Sequence, residues 1–287
     1  MSDAPLPPGA AAGVEVLVLA GEVGERRRDD VVVEEPLEIR VIDERDGRRR
    51  RSPLAVTMRT PGHDLELALG FLVSEGVIRE RADVLAVEHC REEPTPNVVE
   101  VTLAPQVAID IEALRRNVYT TSSCGICGRA ALDRVRIACP RRPRGVVRLE
   151  PAVLRSLPAT LAAAQSVFAR TGGLHAAALF DAAGRLLLVR EDVGRHNAFD
   201  KVLGALLQAG ELPADDRLVL LSGRASYELV QKAVLGGIPV VAAVGAASSL
   251  AVELAAEYGI TLVGFLRGER FNVYSGAERL ASVGAAR

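Results

Sequence analysis

The chain has no tryptophan and only ten phenylalanines and tyrosines in 287 residues. It therefore has few flat faces on which to stack the successive bases of a nucleic-acid strand. Net charge is −2, so no overall field draws it onto nucleic acid or anionic lipid, and neither is expected as a partner. Lysine is almost missing: of 35 basic residues only Lys201 and Lys232 are not arginine. A bias that strong suggests genome composition, and a retained lysine hints at a compact ammonium beside a phosphate or in an ion pair. Cysteine is scarce too, at positions 90, 124, 127 and 139. The opening "MSDAPLPPGAAAG" lacks a basic segment followed by an apolar core, so residues 1–25 are expected to be a disordered lead-in and the protein cytoplasmic. In that setting a disulfide scaffold is disfavoured, and metal or thiol chemistry becomes the better use of the cysteines. The charge-free stretch 233–252 approaches the length of a membrane helix, yet Gly236, Gly237, Pro239, Gly245, Ser248 and Ser249 punctuate it. A buried strand followed by a helix start is the better reading, and no membrane is expected as a partner.

Apolar residues make up 49% of the chain, enough for a full core. "VVVEEPLEIRVID" and "SPLAVTMRT" read as strands joined through Asp46-Gly47, with Arg48 to Arg51 at a solvated hairpin tip. "DLELALGFLVSEG" reads as a helix capped by Asp64 and closed by Gly76, and "VLAVEHC" and "NVVEVTLAP" as a second hairpin. "CPRRPRG" resembles a linker and places a boundary near residue 150. Beyond it, a helix "LPATLAAAQSVFARTG" and two adjacent strands lead into alternating helices and strands with near-continuous apolar strands. That alternation predicts an α/β fold with helices on both faces of a sheet over 151–287, beside a smaller α+β portion over 26–150.

The stretch "TSSCGICGRA" is the one place where two cysteines stand two residues apart. A structural zinc site wants four ligands, but Cys90 and Cys139 are single, so a tetrathiolate rests on distant partners. Thiol–disulfide exchange suits a C-x-x-C at a helix start, although the strand and helix order of a thioredoxin-like unit is missing. Two buried structural cysteines sit poorly with Ser122, Ser123, Gly125 and Gly128 around them. The remaining reading is a thiol at a helix mouth, where the amides, the dipole and Arg129 favour thiolate and glycines let a partner approach. Such a group attacks a sulfur, holds it and releases it.

"SSCGICG", together with "TPGHDLELALGFLVSEGVI", "EDVGRHNAFDKV", "LSGRASYELVQKA" and "GFLRGERFNVYSG", resembles the FdhD family of formate dehydrogenase accessory sulfurtransferases over almost the whole chain. The resemblance implies a cytidine-deaminase-like three-layer α/β/α domain after the smaller N-terminal α+β domain. It implies a sulfur carrier that accepts sulfane sulfur from a cysteine desulfurase as a persulfide on Cys124, with Cys127 as relay or resolving thiol. The sulfur then passes to a molybdenum bis-molybdopterin guanine dinucleotide cofactor before its insertion into formate dehydrogenase, and GDP-like nucleotides are expected to mimic that cofactor. A homodimer is implied as well. The alternative is a zinc-stabilised guanine-nucleotide-binding module without sulfur chemistry.

Deaminase chemistry is excluded by the residues: two positions after His196 stands Ala198 where a glutamate is needed, and no cysteine follows Cys139. Gly194, Arg195 and His196 open one helix, and Gly223 and Arg224 are read as opening the next, where free backbone amides would suit phosphates. In "FLRGER" the resemblance implies cofactor binding by Phe265, Leu266, Arg267, Gly268, Glu269 and Arg270. The side chains agree with it: guanidiniums fork onto phosphates, Gly268 permits close approach, and Phe265 offers a ring face. His63, His89 and His175 have no assigned role.

Overall fold

A computed structural model describes residues 7–45, 48–112, 114, 142, 143, 145 and 147–281. The first extended elements, β1 (Ala11–Ala20) and β2 (Val23–Val32), pair as an antiparallel hairpin. This corrects the expected disorder up to residue 25. Alternating Val14, Val16 and Val18 favour the pleated chain, and Gly21 takes the positive φ (65°) that reverses it.

Four strands follow in the order β4 (Arg48–Arg59), β3 (Glu35–Arg45), β6 (Val98–Leu103), β5 (Val84–His89). In β3, Leu37, Ile39 and Val41 are buried while Glu38 and Arg40 between them form an ion pair on the other face, the period-2 alternation of a one-sided sheet. The expected arginine tip is partly engaged, because Arg51 binds Glu92 at 2.7 Å and Glu100 at 2.8 Å.

Helix α1 (Asp64–Ser74) is buried on nearly all sides, as a helix apolar around its circumference must be. Its cap differs from expectation. His63 is the N-cap residue, in the left-handed region at φ 59°, and Asp64 is instead the first helical residue. The Asp64 carboxylate is occupied by buried Arg59, which donates through Nε at 3.1 Å and Nη2 at 2.9 Å.

The second sheet has six strands in the order β12 (Arg270–Ser275), β11 (Thr261–Arg267), β10 (Val240–Ala243), β9 (Arg217–Leu221), β7 (His175–Asp181), β8 (Leu186–Asp192). Strands β9, β10 and β11 are parallel. They are connected through α5 (Tyr227–Gly236) and α6 (Ser249–Tyr258), while α4 (Arg195–Ala209) links β8 to β9. These helices cover one face over Ala177, Leu179, Val219 and Val241. Helix α2 (Pro151–Ala164) covers the other face, where Leu154, Leu157 and Leu161 meet Ala176, Ala178, Phe180 and Leu220. The fold is thus α/β, and its second half has the expected helix, sheet and helix layers.

Two helices stand where one was expected after residue 157. α2 begins at Pro151, with proline in its first turn, and Gln165 leaves helical geometry (ψ 82°) before α3 (Ser166–Thr171). The two halves of the chain meet where α1 crosses α4. A Cβ on Gly70 would lie 1.7 Å from the Asp200 carbonyl oxygen, and one on Gly204 would lie 1.8 Å from that of Glu66, so only glycine permits this approach.

Candidate functional site at the carboxyl ends of the strands

Cys124 and Cys127 lie outside the described residues, as does Cys139. Cys90 is buried, with the Arg40 guanidinium 4.0 Å from its sulfur. Among the described residues no group of His, Cys, Asp and Glu is arranged to hold a metal. The chain re-enters the described structure near Gly145, whose carbonyl accepts from Arg279 and whose Cα abuts Asp215 and Pro239. Those two residues lie within two positions of the starts of β9 and β10, so this point lies at the amino ends of the strands.

The other predicted site residues gather at the opposite edge. Past the carboxyl ends of β9 and β10, their loops continue the ladder to the last part of β11: Gly245 N–H donates to Gly223 O at 2.9 Å, and Phe265 N–H donates to Gly245 O at 2.8 Å. His175, the first residue of β7, lies beside Gly223; a Cβ there would be 3.4 Å from its Nδ1. His196 reaches the loop between β9 and α5 from the start of α4, with Nε2 3.4 Å from Ser226 Oγ.

The segment 265–270 separates into two sets. β11 bulges between Gly264 and Arg267, and Phe265 sits at φ 53°, a backbone cost for a bulky residue that turns its ring outward. The Arg267 guanidinium lies over that ring, 5.8 Å from its centroid. Gly268, at φ 61°, supplies the first position of the two-residue turn into β12. Arg267 and Arg270 are exposed. Leu266, by contrast, is fully buried in the core beneath α2, and Glu269 forms an ion pair with Arg155 of α2 at 3.4 Å. The Leu266 side chain thus faces the core and not the rim, whereas Glu269 remains exposed in the turn.

The helix starts also differ from expectation. Gly194 is the N-cap of α4, and its N–H is taken by Asp192 Oδ1 at 2.8 Å. Gly223 and Arg224 do not open α5, whose N-cap is Ser226. There the Glu228 carboxylate is held by the Ser226 hydroxyl and its own backbone N–H. Internal carboxylates therefore engage these two termini, and the charge at this edge comes from side chains, with Arg195, Arg224, Arg267 and Arg270 set against Glu228 and Glu269. The Arg195 Nε is buried and has no hydrogen-bond partner among the described residues. Burial is the main cause holding His196 down at about 4; Lys232 and Arg195 add to it, and Glu228 opposes. His175 is lowered likewise by burial and then by Arg195. Both imidazoles are neutral near pH 7 and offer one donor and one acceptor each.

Lys201 and Lys232 do not face this rim. Lys201 pairs with Asp192 at 2.7 Å and Lys232 with Asp200 at 2.6 Å, both in the interior. Each pair is tied to the first half of the chain, since Lys201 donates to Thr60 O at 3.0 Å and Ser74 Oγ donates to Asp200 at 2.5 Å. Their role is to join the halves, which corrects the phosphate hint. Asp192 also takes the Asn197 amide at 3.0 Å, so the same buried carboxylate positions the start of α4 at the rim. His175 is the rim residue that the sequence leaves unmarked. A lone histidine before an apolar strand has no local signature, and it reaches Gly223 through the pairing of β7 with β9.

Among the described residues no helix is long and apolar enough to cross a membrane. Comparison with known proteins agrees with the motifs. The FdhD/NarQ family model matches residues 32–281. The sulfur carrier protein FdhD of Streptomyces coelicolor is 56% identical over 262 residues, covering 89% of this chain and 90% of that protein. Its namesake in Anaeromyxobacter dehalogenans is 48% identical over 97% of this chain and 96% of its own length. The crystal structure of a protein from Desulfotalea psychrophila, described as a formate dehydrogenase accessory protein, superposes with a TM-score of 0.73 at 24% identity. It covers 95% of this chain and 100% of its own. This chain belongs to the FdhD/NarQ family.

Proposed function

We propose that the protein is a sulfur carrier, a sulfurtransferase that receives sulfane sulfur from a cysteine desulfurase on Cys124 and delivers it to a molybdenum bis-molybdopterin guanine dinucleotide cofactor destined for formate dehydrogenase. The observation that carries this reading is the strand-end rim. His196, Gly223, Arg224, Phe265, Arg267 and Arg270 come from separate segments and converge on one arginine-rich edge that suits the phosphates and ring of a nucleotide arm. Support for the sulfur step comes from the C-x-x-C sequence and from relatives named as sulfur carriers. In that step the Cys124 thiolate attacks the outer sulfur of the donor persulfide, the donor's S–S bond breaks, and the donor leaves as thiolate. No outside oxidant or reductant is consumed. A homodimer presenting two rims would suit a cofactor with two nucleotide arms.

Incubation with a cysteine desulfurase and cysteine is expected to add the mass of one sulfur. Cys124→Ala loses that adduct while retaining GDP binding. Bound zinc without the adduct would replace this reading with the zinc-stabilised nucleotide-binding module.

A further inference from the structure

The β1–β2 hairpin leaves the rest of the fold as an arm. Its root is fastened: Ala10 is buried with Val167 of α3 and Leu174, Val32 packs against them, and Arg170 of α3 pairs with Asp30. Beyond the root the apolar side chains face solvent, with Leu17 60%, Leu19 68% and Val23 73% exposed. They lie on both faces, because Leu17 and Leu19 share one side of the pleat and Val14, Val16 and Val18 the other. A two-stranded hairpin has no interior of its own and is marginal in water. Ten paired residues per strand with this much apolar surface outside therefore call for a cover.

The edge of β1 shows which cover fits. Exposed edge strands ordinarily carry lysine, proline, a bulge or inward charge against unwanted pairing. β1 has none of these: its residues AAGVEVLVLA contain one charge, Glu15, already set opposite Arg28 of β2, and its register runs without a bulge. Laid antiparallel on itself about Leu17, the strand places Leu17 against its counterpart, Val16 against Val18, Val14 against Ala20 and Glu15 against Leu19. No like charges are opposed, and the two faces stay sorted into leucine and valine. β2 matches itself less well: Arg26, Arg27 and Arg28 are adjacent, so a pairing centred there opposes arginines. The ten residues of each strand together reach the about 20–30 residues that one side of a standard interface uses.

We infer that β1 is the docking edge for a second copy of this chain, the two β1 strands pairing antiparallel across a two-fold axis into one four-stranded sheet, β2–β1–β1–β2. The inference rests on reading the protein as a homodimer and goes beyond that reading by naming its surface. The pairing closes after two copies, so the unguarded edge is used up within the dimer. The outward edges are then the β2 strands, which their arginines guard.

Sedimentation of the full chain over a dilution series provides the test. The unaltered chain is expected at twice the 30.4 kDa of one copy. Leu17→Lys and Leu17→Glu each set like charges opposite one another at the two-fold axis, on a position exposed in the single chain. Each alone is expected to raise the dissociation constant at least about tenfold with an unchanged far-UV circular dichroism spectrum, and an equal mixture of the two is expected to recover the dimer as a mixed pair. If both variants dimerise as tightly as the unaltered chain, the homodimer stands but uses another surface, and the inference is overturned. Variants that dissociate but do not recover on mixing overturn the β1 pairing. A monomeric unaltered chain overturns the homodimer and the inference together, and leaves the edge to a strand of a different protein.

Discussion

Burial moves His196 far from its chemistry in water. Its pKa of about 4, against 6.5 when free, means that between those values the unfolded chain takes up a proton that the folded chain refuses. Stability therefore falls as pH drops through that window, and His175, shifted in the same direction, adds to the fall. The His196 ring is 37% exposed, so solvent tempers the effect. Urea midpoints at about pH 7, 5.5 and 4.5 are expected to decline less steeply in His196→Gln than in the parent chain; equal slopes would place the titration elsewhere. Glu66 loses its contribution at lower pH. Burial alone would raise it, but Arg190 at 2.5 and 2.7 Å, with His63, holds it at about 2, so its loss runs from about pH 4.5 downward. His196 was legible in sequence because glycine, arginine and histidine together open a helix. The inward side chain of Leu266 was not legible, because a motif gives order along the chain and not which side chains a bulge turns outward.

Among the elements, the contact that decides most is the crossing of α1 with α4, where glycine removes the side chain and buried charges replace it. Gly70→Ala brings a methyl into the Asp200 carbonyl, and the cost is expected to reach at least the ~3 kcal/mol upper end of ordinary overpacking, measured by thermal unfolding. The Asp200–Lys232 pair beside it calls for a different experiment. Lys232→Met strands a buried carboxylate at a cost of about 3–5 kcal/mol. Burial already raises Asp200, so without its partner it protonates readily and the loss shrinks at acidic pH. Asp200→Asn added to Lys232→Met is expected to restore most of the stability, and a double-mutant cycle with no coupling would refute the pairing. Apolar periodicity located most of these helices and strands. It missed the β1–β2 hairpin, where Pro/Ala/Gly composition outweighed the valines, and the break at Gln165, which tertiary packing imposes.

At the scale of the whole molecule, the linker-like "CPRRPRG" suggests two separable units, and the packing argues against independence. Leu37, Ile39 and Val99 of the first sheet, Leu69 and Leu72 of α1, and Val202 and Leu206 of α4 belong to one continuous core. A fragment from residue 150 onward would expose the α4 face and leave Lys201 without the Thr60 carbonyl. Gly145, beside Asp215 and Pro239, and the rim lie at opposite ends of the strands of one sheet, and this shared core fixes that separation. Unfolding is accordingly expected as one transition, with calorimetric and van't Hoff enthalpies in a ratio of about 1, and the fragment from 150 is expected to lack a cooperative melt. Two resolved transitions, or a fragment that melts cooperatively on its own, would show that the halves are joined only by sequence.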